Sequence, residues 1–211
     1  MQKRKLLILN LILVSVLLAC FFAMLILVVC EYNFKMDILN AEIIKLRTPV
    51  LNWFFIIFSY LGNFFVLSLI VLLIFLVLFF KFKHKYLSWF IVLCFALVSV
   101  VNFLIKNVVR RIRPEFMLFE EFSYSFPSWH AMLTCFVFGV LIYFAYKFIK
   151  NKPLKIVLIT IFSLIIVLMA FARVYLGVHY LSDVVAGLLL GLSFVFMFVL
   201  LYNLYFATKK D

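Results

Sequence analysis

Glycine and proline are scarce in this chain, 5 and 4 of 211 residues. Domains joined by flexible linkers would need more of both, so one continuous domain is expected. Carboxylates are few beside bases, 8 Asp+Glu against 20 Lys+Arg. They form no cluster of the kind that holds magnesium, so neither a metal nor another cofactor is expected. The 4 cysteines, Cys20, Cys30, Cys94 and Cys135, fall in separate apolar runs without metal-ligand spacing. They are expected as buried free thiols, since an unpaired cysteine packs as a small hydrophobe. Internal repeats and low-complexity tails are absent too.

What the chain has is hydrocarbon. It is 69% hydrophobic with a mean hydropathy of +1.29, far above the roughly half-apolar usage of soluble domains. Several apolar runs exceed the ~18–20 residues that cross a bilayer as a helix. The expected fold is an all-α integral membrane protein of six transmembrane helices. The spans are placed at about residues 6–29, 53–80, 86–105, 130–149, 156–172 and 182–206.

Lys3-Arg4-Lys5 before the first run resembles the start of a signal peptide, and Leu17-Leu18-Ala19-Cys20 a cleavage box. The apolar run continues past Cys20, too long for a signal core of about 7–15 residues, so an uncleaved span is expected. In Glu31–Leu51, Phe34, Ile38, Leu39, Ile43, Ile44 and Leu46 fall near helical spacing. This reads as a short amphipathic helix in the interface or as a connecting loop. The division is then 1–50 for the first helix and interfacial segment, 51–206 for the core domain, and 207–211 for a cytoplasmic tail.

A net charge of +12 would suit nucleic acid, but the bases are not pooled in one patch, and no nucleic-acid partner is expected. Lys3, Arg4, Lys5, Lys81, Lys83, Lys85, Lys147, Lys150, Lys152, Lys155, Lys209 and Lys210 sit at span ends on one side, with Asp211 the lone acid there. Positive loops stay inside, so both termini are expected in the cytoplasm. Five bases of the opposite side break that rule within the core: Lys106, Arg110, Arg111, Arg113 and Arg173. Four are arginine, whose planar fork suits bidentate phosphate recognition, whereas the inner bases are nearly all lysine. Topology did not place them there, which points to an anionic ligand.

Lys106 and Arg113 are seven apart and share a side if the third span continues to Pro114. Pro127-Ser128 reads as the opening of the fourth span, proline at its first position and serine as cap. His130 then lies in a first turn whose free N–H groups favour an anion. His179 and Asp183, four apart, share a face if the sixth helix begins early enough. A carboxylate on one ring nitrogen raises the basicity of the other, making His179 a plausible nucleophile. Gly177 would allow a close turn before it. Arg110 and Arg111 are expected to meet a second phosphate or anionic head groups, or to form a solvated face. His84, flanked by lysines, reads as solvated.

Lys106-x6-Arg113-Pro114, Pro127-Ser128-Trp129-His130 and Ala172-Arg173-x5-His179-x3-Asp183 together resemble the three motifs of the type 2 phosphatidic acid phosphatase family, membrane relatives of vanadium haloperoxidases. The resemblance covers about Leu51 to Tyr205. Trp129 replaces the family's usual glycine and Ala172 its serine; the tryptophan keeps the backbone N–H but its bulk narrows the pocket. The resemblance implies a metal-independent phosphatase in which His179, oriented by Asp183, attacks phosphorus and His130 protonates the leaving oxygen. It also implies that Lys106, Arg113, Ser128, Trp129 and Arg173 bind the phosphoryl oxygens. The expected substrate is a lipid phosphate or pyrophosphate at the outer face of the cell membrane. Undecaprenyl pyrophosphate, phosphatidylglycerol phosphate and phosphatidic acid are the candidates, and the Phe-, Ile- and Lys-rich usage leans toward the first. A lipid phosphotransferase, or a non-catalytic lipid-phosphate binder or transporter on the same fold, is the alternative.

Overall fold

The computed structural model describes residues 2–30 and 35–206, whose regular structure is all helical, with no strand among them. The order is α1 (Gln2–Val29), α2 (Lys35–Ile44), α3 (Pro49–Ser59), α4 (Phe64–Leu76), α5 (Lys85–Val109), α6 (Trp129–Phe148), α7 (Lys152–Tyr175) and α8 (Leu181–Tyr205). Six of these are long and apolar enough to cross a membrane, with α4 extended by a π-turn at Val77–Lys81. The expected six spans are all present. Residues 31–34 and the tail from 207 lie outside the described residues, including Phe34 of the expected amphipathic pattern and Lys209 and Lys210.

The second span is not the unbroken 53–80 helix that its apolar run predicts. Thr48 caps α3, its side chain accepting from Leu51 N, and Pro49 opens the helix. A 3-10 turn at Tyr60–Gly62 then stops it, and Asn63 caps α4 by accepting from Phe65 N at 2.9 Å. Gly62 and Asn63 are a poor helix former and a strong cap; hydropathy registers neither. A Cβ at Gly62 would stand 2.9 Å from the His130 ring and from Met169. The break lets the chain press onto that histidine.

The amphipathic segment is also more than an interfacial float. Ile38 and Leu39 face outward, but Asn40 is buried. Its Nδ2 donates to the His179 carbonyl at 2.9 Å and its Oδ1 accepts from Leu181 N at 3.0 Å. Burying one amide while both of its ends are bonded anchors α2 over the start of α8.

Helices α6 and α8 are the most enclosed spans, and α1 packs along α8. The main cluster gathers Phe21, Leu67, Phe95, Met132, Phe136 and Phe198, with Phe90 stacked on Phe198 at 5.2 Å. Helix α7 is enclosed only near its end, from Met169 to Tyr175. All four cysteines are free; Cys135 is buried and Cys94 half-buried, but Cys20 and Cys30 are exposed on α1 and at its end rather than buried. An outer helix of a bundle leaves one side to lipid, where a thiol is tolerated as readily as an alkyl group.

Candidate active site

The C-terminal ends of α5 and α7 and the N-terminal ends of α6 and α8 meet at one end of the bundle. All the expected site residues lie there. They arrive by a route that differs from the simplest helical reading.

Helix α5 does not continue to Pro114. It stops at Val109, and Arg110 takes a left-handed conformation with φ 53° while its N–H caps Lys106 O. The chain then turns back on itself, held by Ser125 N donating to Arg111 O at 2.9 Å and Leu118 N to Leu176 O at 3.0 Å. This loop, not a shared helix face, brings Arg113 to Lys106. The Lys106 ammonium is buried and donates to the Tyr124 carbonyl. Arg113 Nε donates to Ser123 O and Nη1 to Val178 O, both at 2.6 Å, while Nη2 reaches Ser123 Oγ at 3.0 Å.

Ser128, not Pro127, sets the start of α6. It is the cap, its Oγ accepting from Ala131 N at 3.5 Å, and Trp129 takes the first helical position. Pro127 precedes the cap, following a cis peptide bond. Ser128 N donates to the Asp183 carbonyl at 3.0 Å, joining the starts of α6 and α8. The Trp129 ring lies edge-on to Phe64 at 5.7 Å, where α4 restarts. Its bulk therefore forms an aromatic wall beside His130, and its backbone N–H remains at the open helix end.

Gly177 follows α7 with φ +71°, and a Cβ there would lie 2.5 Å from Arg47 Nη2 and from the Phe116 carbonyl. The close turn expected of this residue is present. Arg47 uses the space, donating to Tyr175 O and Phe116 O at 3.0 Å each. The turn delivers His179 just ahead of α8, whose first residue is Leu181. His179 Nδ1 stands 3.5 Å from Asp183 Oδ2, and Nε2 stands 3.3 Å from Arg113 Nη1. Burial comes first in holding the His179 imidazolium well below the ordinary histidine range, followed by Arg113, Lys106, Arg173 and His130. The ring has its Nδ1 side to a carboxylate and its Nε2 side toward the cations.

Two functional neighbours escaped the sequence reading. Arg111, one of the bases set against the charge rule, is not a solvated face: its side chain is 20% exposed and paired with Asp183. Its Nη1 donates to Asp183 Oδ1 at 2.6 Å and to Ser182 Oγ at 2.7 Å, and its guanidinium lies 4.1 Å over the Tyr180 ring. With Tyr180 N donating to Oδ2 at 3.0 Å, it fixes the carboxylate that faces His179. The second is Glu121, whose Oε1 accepts from Arg173 Nη2 and whose Oε2 lies 3.3 Å from Arg113 Nη2. Arg173 is fully buried, and its Nε has no hydrogen-bond partner among the described residues. In sequence, Glu121 is one of three acids in a polar loop, with nothing to distinguish it from Glu115 or Glu120. His84 is exposed at the start of α5, at the other end of the bundle.

Two histidines, a buried carboxylate and three buried or nearly buried cations gather around one spot, a cradle whose chemistry suits an anion. Residues 87–207, more than half of the chain and all of the cradle, match the sequence profile of the PAP2 superfamily. The chain belongs to that superfamily. Among relatives, it is 41% identical over 108 residues to phosphatidylglycerophosphatase B of Bacillus subtilis (strain 168), a match spanning 50% of this chain and 53% of the relative. That aligned stretch is about half the length of the curated relative. The fold is similar to the crystal structure of the first transmembrane PAP2-type phosphatidylglycerolphosphate phosphatase from Bacillus subtilis, with TM-score 0.81, 28% identity, and 92% and 98% of the two chains covered. It is also similar to the crystal structure of Aquifex aeolicus LpxE, with TM-score 0.63, 28% identity, and 80% and 97% covered. The PAP2 cradle in this chain is built on the ends of four spanning helices, and the six-span architecture exists to position them.

Proposed function

We propose that this PAP2 protein is a lipid phosphatase that cleaves a phosphomonoester or pyrophosphate at the outer face of the membrane through a phosphohistidine on His179. The observation that carries this reading is the His179 ring, with Nδ1 facing Asp183 at 3.5 Å and Nε2 facing Arg113 at 3.3 Å. A nucleophile must present a lone pair to phosphorus while its other nitrogen holds a proton against a carboxylate.

With phosphate between Arg113, Arg173 and Lys106, Nε2 forms the bond to phosphorus as the bond to the lipid oxygen breaks. His130 gives that oxygen its proton. Water then attacks the phosphohistidine, His130 takes its proton, and inorganic phosphate leaves with His179 restored. The cations neutralise charge on the equatorial oxygens, and the open N-terminus of α6 adds the Trp129 N–H. No metal is assigned a step; among the described residues no three His, Cys, Asp or Glu converge to hold one. The outward placement rests on Lys81, Lys83, Lys85, Lys147, Lys150, Lys152 and Lys155 gathering at the opposite end of the bundle.

Phosphatidylglycerol phosphate is the first substrate to test, ahead of undecaprenyl pyrophosphate, because the relatives in Bacillus subtilis carry that activity in their names. The test is phosphate release by detergent-purified protein from a panel of lipid phosphates and pyrophosphates in excess EDTA, beside His179→Ala. Release by the wild type alone, ranked by lipid, supports the reading. Silence from the folded wild type overturns it in favour of transfer or binding.

A further inference from the structure

The phosphoryl cradle is already filled by a group of the protein. Glu121 bridges Arg113 and Arg173, one carboxylate oxygen on each guanidinium, at the place where phosphoryl oxygens would bind. The Arg113 and Arg173 side chains are only 6% and 1% exposed, against 22% for Glu121. The cations are therefore fixed in the wall, whereas the acid reaches in from the loop over the site. Its chain neighbours Glu120 and Phe122 are exposed, so little packing opposes its withdrawal. The cradle also holds the Lys106 ammonium, which donates to the Tyr124 carbonyl, and Arg173 Nε, which has no hydrogen-bond partner among the described residues. Glu121 leaves both of these donors unused.

From this geometry we infer that Glu121 is a specificity-determining residue, an internal carboxylate that phosphomonoesters displace and the phosphodiester lipids of the bilayer do not. The inference rests on the phosphatase reading above. A site at the bilayer surface faces a large excess of diester head groups, each with a single negative charge and two free oxygens. The Glu121 carboxylate offers the same charge and the same number of oxygens, and its attachment to the loop gives it an effective concentration in the millimolar range or above. A diester gains nothing over it. A phosphomonoester carries about −1.5 to −2 charges and three terminal oxygens, enough to engage Arg113, Arg173 and Lys106 together. Pyrophosphate gains in the same way. The exchange costs the enzyme some affinity for substrate and prevents its blockage by the surrounding membrane.

The experiment compares wild type and Glu121→Gln in detergent, measuring phosphate release from phosphatidylglycerol phosphate. The added inhibitors are dihexanoyl phosphatidylglycerol, a soluble diester, and orthovanadate. Dihexanoyl glycerol serves as the neutral control for dilution of substrate in the micelle. The amide keeps the shape and removes the charge. The expected result is competitive inhibition of Glu121→Gln by the diester at a concentration about tenfold lower than for wild type, the usual weight of one charge-assisted contact. The vanadate inhibition constant should fall in the same direction. Equal inhibition of both proteins by the diester, or weaker vanadate binding in the variant, would overturn the inference and make Glu121 a scaffold for the two arginines. If Glu121→Gln loses its gel-filtration peak, Glu121→Asp, whose carboxylate is one methylene short of the bridge, is read by the same two constants. Absence of phosphate release by wild type would instead count against the phosphatase reading itself.

Discussion

The two ends of the helical bundle both carry an excess of positive charge and hold it in opposite ways. At the end away from the cradle, Lys81, Lys83, Lys85, Lys147, Lys150 and Lys152 are exposed. Several rest on aromatic rings, as Lys147 does at 4.0 Å from the Tyr202 ring and Lys85 at 5.7 Å from Phe79. Such charges act as a field, and their exact positions matter little. At the cradle end, Lys106, Arg113 and Arg173 are buried. Each guanidinium is fixed by carboxylates or carbonyls, and Arg111 is bound to Asp183. There the geometry is the product. A charge that sets topology can be lysine anywhere on the right side, whereas a charge that meets phosphoryl oxygens must be placed and must be partnered until the ligand arrives.

This contrast orders the expected effects of mutation. The largest belongs to His179→Ala, which removes the proposed nucleophile and should lower kcat by at least about a thousandfold. Trapping with a slow substrate and an alkaline denaturing quench, which preserves the acid-labile N–P bond, checks it, since the phosphohistidine should form in wild type and be absent in the variant. Arg111→Ala comes next. It takes away the 2.6 Å partner of a fully buried carboxylate, and breaking a buried pair costs about 3 kcal/mol of stability. The released Asp183 should also hold His179 less firmly, so kcat should fall while KM changes little. A thermal melt and a kinetic split measure the two effects separately. Gly177→Ala must accept φ +71°, a strain of about 1–3 kcal/mol for a residue with a Cβ, and a clash with Arg47 and Phe116. Its cost should appear as a lower melting temperature.

The pH profile tests the cradle's field. In the proposed mechanism His179 attacks as the unprotonated ring, so activity should be lost as pH falls through its pKa. Burial and four positive or potentially positive neighbours hold that pKa well below the usual 6.5. The acid limb of kcat/KM, which reports the free enzyme, should therefore lie below pH 6.5 in wild type. Removing a neighbouring charge with Arg113→Gln should move it upward. An acid limb above pH 7 in wild type would contradict the buried, cation-ringed environment of the ring.

The six spans were legible in the sequence because they depend on composition and length, and the motif residues that the fold brings to one end were picked out by charge, spacing and family resemblance. Hydropathy locates spans since lipid tolerates little else, and the arginines stood out by breaking the charge rule. What it hid depends on backbone geometry and pairing. The break at Gly62–Asn63 sits inside an apolar run, and a hydropathy window averages it away. The turn at Arg110 requires a left-handed non-glycine residue, which no residue type announces. Arg111 and Glu121 were visible as charges, but their partners lie 72 and 52 residues away. Only the folded chain shows which charge faces which. Asn40 is the same case, a polar residue in a segment that resembled a connector, whose two hydrogen bonds reach across 139 and 141 residues.

The smallest expected effect lies at the other end of the bundle. Neutralising Lys81 and Lys152 together, as Lys81→Gln with Lys152→Gln, removes two exposed charges with no carboxylate partner among the described residues. Surface changes of this kind stay within about 0.5 kcal/mol. The remaining lysines of that face still outnumber the acids, so the orientation holds. Phosphate release per folded molecule should match wild type, in the same preparation where Arg111→Ala is severely impaired. Both changes remove positive charge from one protein, so a field acting over the whole molecule predicts comparable losses and local geometry predicts a large difference. A many-fold fall in the lysine double variant would show that the two ends are electrostatically coupled through the bilayer-spanning bundle. The distance argues against it, because a span of 25 residues such as α5 is about 37 Å long at 1.5 Å per residue, several times the screening length of about 8 Å in physiological salt.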